Sequence, residues 1–216
     1  MSYYKGEITM SNVLFIKAND RPADQAVSVQ MYETFLKTYK DTHSSDVITE
    51  LDLFVENLPT YGDTVITGIY KLSQGYELTA EELEATTTSN RYLDQFLAAD
   101  KVVIAFPLWN TMAPAPLVNY IAHISQVGKT FKFTAEGPVG LAGDKKVALL
   151  SARGGMYSIE PMASFESAVK PVKMNLGLFG IQTTDVIIEG HNQYKDRAEV
   201  IVKEGLQEVA KVASTF

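Results

Sequence analysis

The chain contains no cysteine in its 216 residues. Disulfides, thiolate nucleophiles and cysteine metal sites are thereby excluded. Basic residues are also in short supply: 19 Lys and Arg stand against 26 Asp and Glu, a net charge of −7. A protein built to bind nucleic acid or an anionic membrane needs a basic patch, and this balance argues against both. No apolar run approaches the ~20 residues that cross a bilayer, the longest lying near 102–109. The three histidines, His43, His123 and His191, lie far apart without H-E-x-x-H spacing, so no protein-held metal is expected. There is no G-x-S-x-G elbow of a serine hydrolase. The loop Ala18-Asn19-Asp20-Arg21-Pro22-Ala23 has no glycine where a nicotinamide-binding fold carries G-x-G-x-x-G. Gly128-Lys129-Thr130 has the tail of a P-loop, but His123 stands where its first glycine belongs.

What is present is an ordinary globular composition, with 46% hydrophobic and 21% charged residues. At roughly 150 residues per domain, one domain is expected. We place it at 11–216, with residues 1–10 as an N-terminal extension that lacks the apolar core of a signal peptide. A cytoplasmic location is expected. Val13–Ile16, Val102–Phe106 and Val147–Leu150 are unbroken apolar runs, the mark of strands buried on both faces. Residues 47–53 and 184–189 read as two more strands. Between them, helices are expected near 24–40, 79–98, 115–127, 162–176 and 195–212. Thr79 lies three residues before Glu82, a capping-box spacing. Residues 57–75 read as a long excursion without period, and 129–141 as a small hairpin or a loop. Five strands alternating with five helices imply an α/β fold: a doubly wound five-stranded parallel sheet of flavodoxin type, with helices on both faces.

In such sheets, ligands sit outside the carboxyl ends of the strands, where the strand order reverses. Three loops qualify. The first, 17–28, leads into a helix whose early N–H groups form an anion site; Gln25, Ala26, Val27 and Ser28 are placed in that turn, with Asn19 before it. The second, Pro107-Leu108-Trp109-Asn110-Thr111-Met112, is apolar, stiffened by later prolines, and holds the sole tryptophan. The third, Ala152-Arg153-Gly154-Gly155, lets backbone N–H groups approach a ligand closely. Each loop alone also suits a plain connection or a dimer contact. Together they favour a flat ligand with an anionic tail, and flavin mononucleotide (FMN) has that shape.

On these residues the chain resembles the FMN-dependent NADH-azoreductase/NADH:quinone oxidoreductase family. The likeness is carried by Val13–Ala18, Phe106–Asn110, Gly128–Thr134, Glu136–Leu141 and Ala152–Gly155, and covers 11–216. It implies a flavodoxin-like dimer that uses NADH to reduce quinones and azo compounds through FMN, in a ping-pong hydride relay. It also implies that 107–111 lies along the isoalloxazine and 152–155 holds its polar edge. Part of the family places serine hydroxyls in the phosphate loop, whereas this chain offers Asn19, Gln25, Ala26, Val27 and Ser28. Phe131, Phe133 and Tyr157 are expected to contact the acceptor, and no side chain is expected to act as a catalytic nucleophile. Two other readings compete: a flavodoxin-type electron carrier, which is usually shorter and more acidic, and a phosphodiester hydrolase, whose metal or nucleophile constellation is not found.

Overall fold

An apolar strand in the middle of a sheet must be covered twice, and the pleat divides its side chains between two layers. In the computed structural model, which describes residues 10–216, that division is complete. Strand β1 (Asn12–Lys17) sends Leu14 and Ile16 into one core and Val13 and Phe15 into the other. Strands β3 (Lys101–Pro107) and β6 (Lys146–Arg153) alternate in the same way. Helices α1 (Val27–Thr42) and α6 (Ala198–Thr215) cover one face through Met31, Tyr32, Phe35, Tyr39, Val209 and Ala213. Helices α3 (Ala80–Ala98), α4 (Ala115–Ile124) and α5 (Val169–Leu178) cover the other.

Edge strands β2 (Val47–Asp52) and β7 (Thr183–Glu189) complete a sheet in the order β2-β1-β3-β6-β7, parallel throughout. The chain reverses direction between β1 and β3, so the switch point lies at their carboxyl ends. The 129–141 segment is a hairpin of β4 (Phe131–Thr134) and β5 (Gly137–Gly140), outside the main sheet.

Three sequence expectations change. The 57–75 excursion contains a sixth helix, α2 (Asp63–Gln74), closed by Gly75 at φ 71°. Its pattern is broken by Gly68, which is there because α3 comes close: a Cβ would stand 2.2 Å from Thr86 Oγ1. Residues 162–176 split into a short turn at Met162–Phe165 and then α5. Helix α1 starts at Val27 rather than 24, because Ala23–Gln25 form a separate tight turn. The expected extension, 1–10, lies outside the described residues except for Met10.

Candidate active site at the carboxyl edge of the sheet

The three candidate loops leave adjacent strands, and backbone hydrogen bonds tie their first residues together. Ala18 donates to the Ala105 carbonyl and Leu108 to that of Ala152, each at 2.9 Å. Pro107 and Ala152 are therefore still part of the sheet and fully enclosed, and the loops proper begin after them.

In the first loop Asn19 is buried, donating to Ser28 Oγ at 2.9 Å and accepting the Arg21 amide at 3.0 Å. This pair folds the loop back over the start of α1. The helix begins on Ala26, which offers no capping oxygen, and its first turn carries no acidic residue. Its leading N–H groups are thus left for an external acceptor, at the positive end of the helix dipole. Gln25 does not belong to this turn: it is exposed, in the preceding tight turn, within 3.4 Å of Arg21 Nη2. Ala26 and Ser28 are buried and Val27 half-buried, so backbone rather than side chains faces outward.

In the second loop Trp109 and Met112 exchange two backbone hydrogen bonds of 2.9 Å, enclosing Asn110 and Thr111 at φ 49° and 70°. Two left-handed central residues are the signature of a tight hairpin turn. Trp109 meets Phe54 edge-to-face at 6.0 Å. Beside this hairpin opens an apolar cleft of about 1080 Å³, lined by Leu53, Leu58, Tyr61, Trp109, Met112 and Pro114 among others.

In the third loop a Cβ on Gly154 would stand 2.5 Å from Asn192 Nδ2. The Gly154 carbonyl accepts the amides of Asn192 and Gln193, so the turn after β7 forms its floor. The Tyr157 ring lies by Gly155, where a Cβ would come within 3.3 Å of it. Arg153 is buried and its guanidinium is taken up by Glu166 and Glu189. Its side chain is therefore not free to hold a ligand, and the loop's contribution is its backbone.

Phe131 and Phe133 are not brought to this site. The hairpin lies between the end of α4 and the start of β6, at the opposite, amino edge of the sheet. Phe131 is a core residue, stacked on Phe179 at 6.2 Å, while Phe133 is 69% exposed. The aromatic run Thr-Phe-Lys-Phe serves to anchor the hairpin through its first ring. Sequence reasoning also passed over Glu166, Glu189 and the 190–193 turn. Glu189 closes the last strand at the carboxyl edge, a position that could have marked it. Glu166 has no such signal.

An uncapped helix start, a buried Asn–Ser brace and a glycine cradle at one switch point define a flavodoxin-like α/β protein, and these residues fit a phosphate-tailed flavin. Residues 11–213 match the family described by the flavodoxin-like fold. Over 208 residues the chain is 61% identical to FMN-dependent NADH:quinone oxidoreductase 2 of Bacillus cereus, covering 96% of this chain and all of that one. The corresponding enzyme of Brevibacillus brevis is 57% identical over the same span. Among solved structures, an azoreductase from Bacillus anthracis superposes with a TM-score of 0.94 at 55% identity, covering 96% of this chain and 100% of that chain. An FMN-dependent NADH-azoreductase from the same species, crystallised with FMN, gives 0.85 at 27% identity over 95% and 99%. The chain belongs to the family of FMN-dependent NADH:quinone oxidoreductases.

Proposed function

We propose that this protein is an FMN-dependent enzyme that takes hydride from NADH and delivers it to quinones and azo compounds. The observation that carries this is full-length identity to enzymes of that name, joined to an uncapped α1 start at the strand switch point. FMN, when bound, supplies the two-electron chemistry. The chain binds, orients and shields. The N–H groups opening α1 take the phosphate, with Asn19 and Ser28 fixing their loop. Leu108, Trp109, Asn110 and Thr111 form a shelf along the ring. The backbone of 153–155, beyond the enclosed Ala152, would face its polar edge, where donors would stabilise developing negative charge. Tyr157 would border the open face of the bound ring, the place left for donor and acceptor in a ping-pong order.

A two-fold homodimer belongs to this reading. Met112 is 56%, Val118 57% and Phe133 69% exposed, apolar surface of the kind that marks an interface. From the amino edge, Phe133 can line an acceptor site only in a second copy. NADH is an intracellular reductant, which supports a cytoplasmic location. A pure electron carrier is not favoured, since the relatives that match end to end bear oxidoreductase names. The purified protein should be yellow, release FMN rather than FAD on denaturation, and oxidise NADH when a quinone is added. A colourless preparation indifferent to added FMN would overturn the proposal.

A further inference from the structure

Arg153 ends β6 with a guanidinium lying between two carboxylates. Its Nε is 3.1 Å from Glu189 Oε2, and its Nη1 is 3.7 Å from Glu166 Oε1. No hydrogen bond forms at this Nε, so the contact is a charge pair.

Each carboxylate organises one loop. Glu189 Oε2 accepts the Tyr157 amide at 2.9 Å, and its Oε1 accepts the Ser158 hydroxyl, which fixes the segment after Gly155. Glu166 accepts three amides at the start of α5: Ala168 and Val169 through Oε1, Lys170 through Oε2. Within that turn, Ser167 donates its amide to the Thr111 carbonyl at 2.9 Å and bridges to Met112. A continuous line of contacts thus runs from Tyr157 through Glu189, Arg153, Glu166 and Ser167 to the 109–112 hairpin.

We infer that Arg153 is a positioning residue that couples these two loops, so that neither side of the flavin site can loosen without the other. The flavin part of this statement rests on the function proposed above; the coupling itself does not. The Glu166 carboxylate is buried, its side chain 3% exposed, and that of Glu189 is half-buried at 15%. Taking the cation from between a buried and a half-buried anion leaves both uncompensated, a destabilising change that weighs most on Glu166. The hairpin needs such support, because left-handed backbone at Asn110 and at the β-branched Thr111 is costly outside glycine. Lysine keeps the charge but lacks the planar fork that reaches two carboxylates at once.

Amide hydrogen exchange on the full chain, with and without added FMN, tests this in Arg153→Met, Arg153→Lys and Glu166→Gln. Exchange should quicken tenfold or more at Tyr157, Ser167 and Met112 in Arg153→Met, while Leu14 and Val103 in the sheet keep their rates. Glu166→Gln should quicken Tyr157 as well, across the cation. The FMN dissociation constant should rise at least tenfold in both, and the double variant should bind no worse than Arg153→Met alone. Faster exchange confined to Tyr157 would reduce Arg153 to a local anchor and sink the coupling; so would additive losses in the double variant. Weaker FMN binding in Arg153→Met with unchanged exchange would make the guanidinium a direct flavin contact instead. Wild-type protein that bound no FMN would remove the flavin reading and leave the exchange rates to judge the coupling. Should Arg153→Met not fold, Arg153→Lys and Glu166→Gln give the same comparison.

Discussion

His123 is wholly buried on α4, yet both its ring nitrogens have partners: Nε2 donates to the Pro59 carbonyl at 2.8 Å and Nδ1 lies 2.9 Å from Ser89 Oγ. These partners assign the proton to Nε2. Burial holds its pKa, and that of His191, below the ordinary 6.5. The unfolded chain then binds protons where the folded chain does not, so the stability these groups contribute is complete above the ordinary value and falls as pH drops below it. Thermal midpoints should decline below about pH 6.5, and less steeply in His123→Asn; identical slopes would discard His123 as a source. Trp109 offers a sharper probe, since no other tryptophan contributes emission. Its fluorescence should be quenched with FMN bound and recover when flavin is removed. Trp109→Ala should weaken FMN binding, an aromatic contact being worth ~1 kcal/mol beyond its area. Full emission in the flavin-loaded protein would place the indole away from the ring.

Two helix starts differ in a way that separates architecture from binding. Helix α3 opens with a complete capping box between Thr79 and Glu82, whereas α1 opens on Ala26 with no side-chain cap. Ala26→Asp supplies a cap and a negative charge together. The flavin-free protein should hold or gain up to ~1 kcal/mol, while FMN affinity falls tenfold or more. Thr79→Ala should do the reverse, costing about 1 kcal/mol with unchanged affinity. Equal FMN affinity in wild type and Ala26→Asp would move the phosphate elsewhere. The same contrast explains what the sequence made visible. The Thr79–Glu82 spacing announces a helix start because the cap is local chemistry. Helix α2 stayed hidden because Gly68 answers a neighbour, α3, that no local pattern reveals. Phe131 and Phe133 read as one aromatic pair, yet packing sends the first into the core and leaves the second outside.

The proposed pairing of two chains predicts a particle of twice 23.8 kDa in light scattering. A fully active monomer would refute it. The sheet itself was legible because Val13–Ile16, Val102–Phe106 and Val147–Leu150 are solidly apolar, and that pattern suits only strands covered on both faces. From their carboxyl ends the three loops followed, whereas the carboxylates around Arg153 depend on side chains meeting across distant segments. The strand order carries one more consequence. The loops hang from β1, β3 and β6, the three inner strands, with β2 and β7 outside them as edges. Edges and termini fray in low-energy local openings, while a central strand comes apart only when the whole domain does. The site is therefore anchored to the last part of the protein to melt. On heating, release of flavin fluorescence and loss of helical ellipticity should trace one curve, so that this enzyme keeps its cofactor for as long as it keeps its shape.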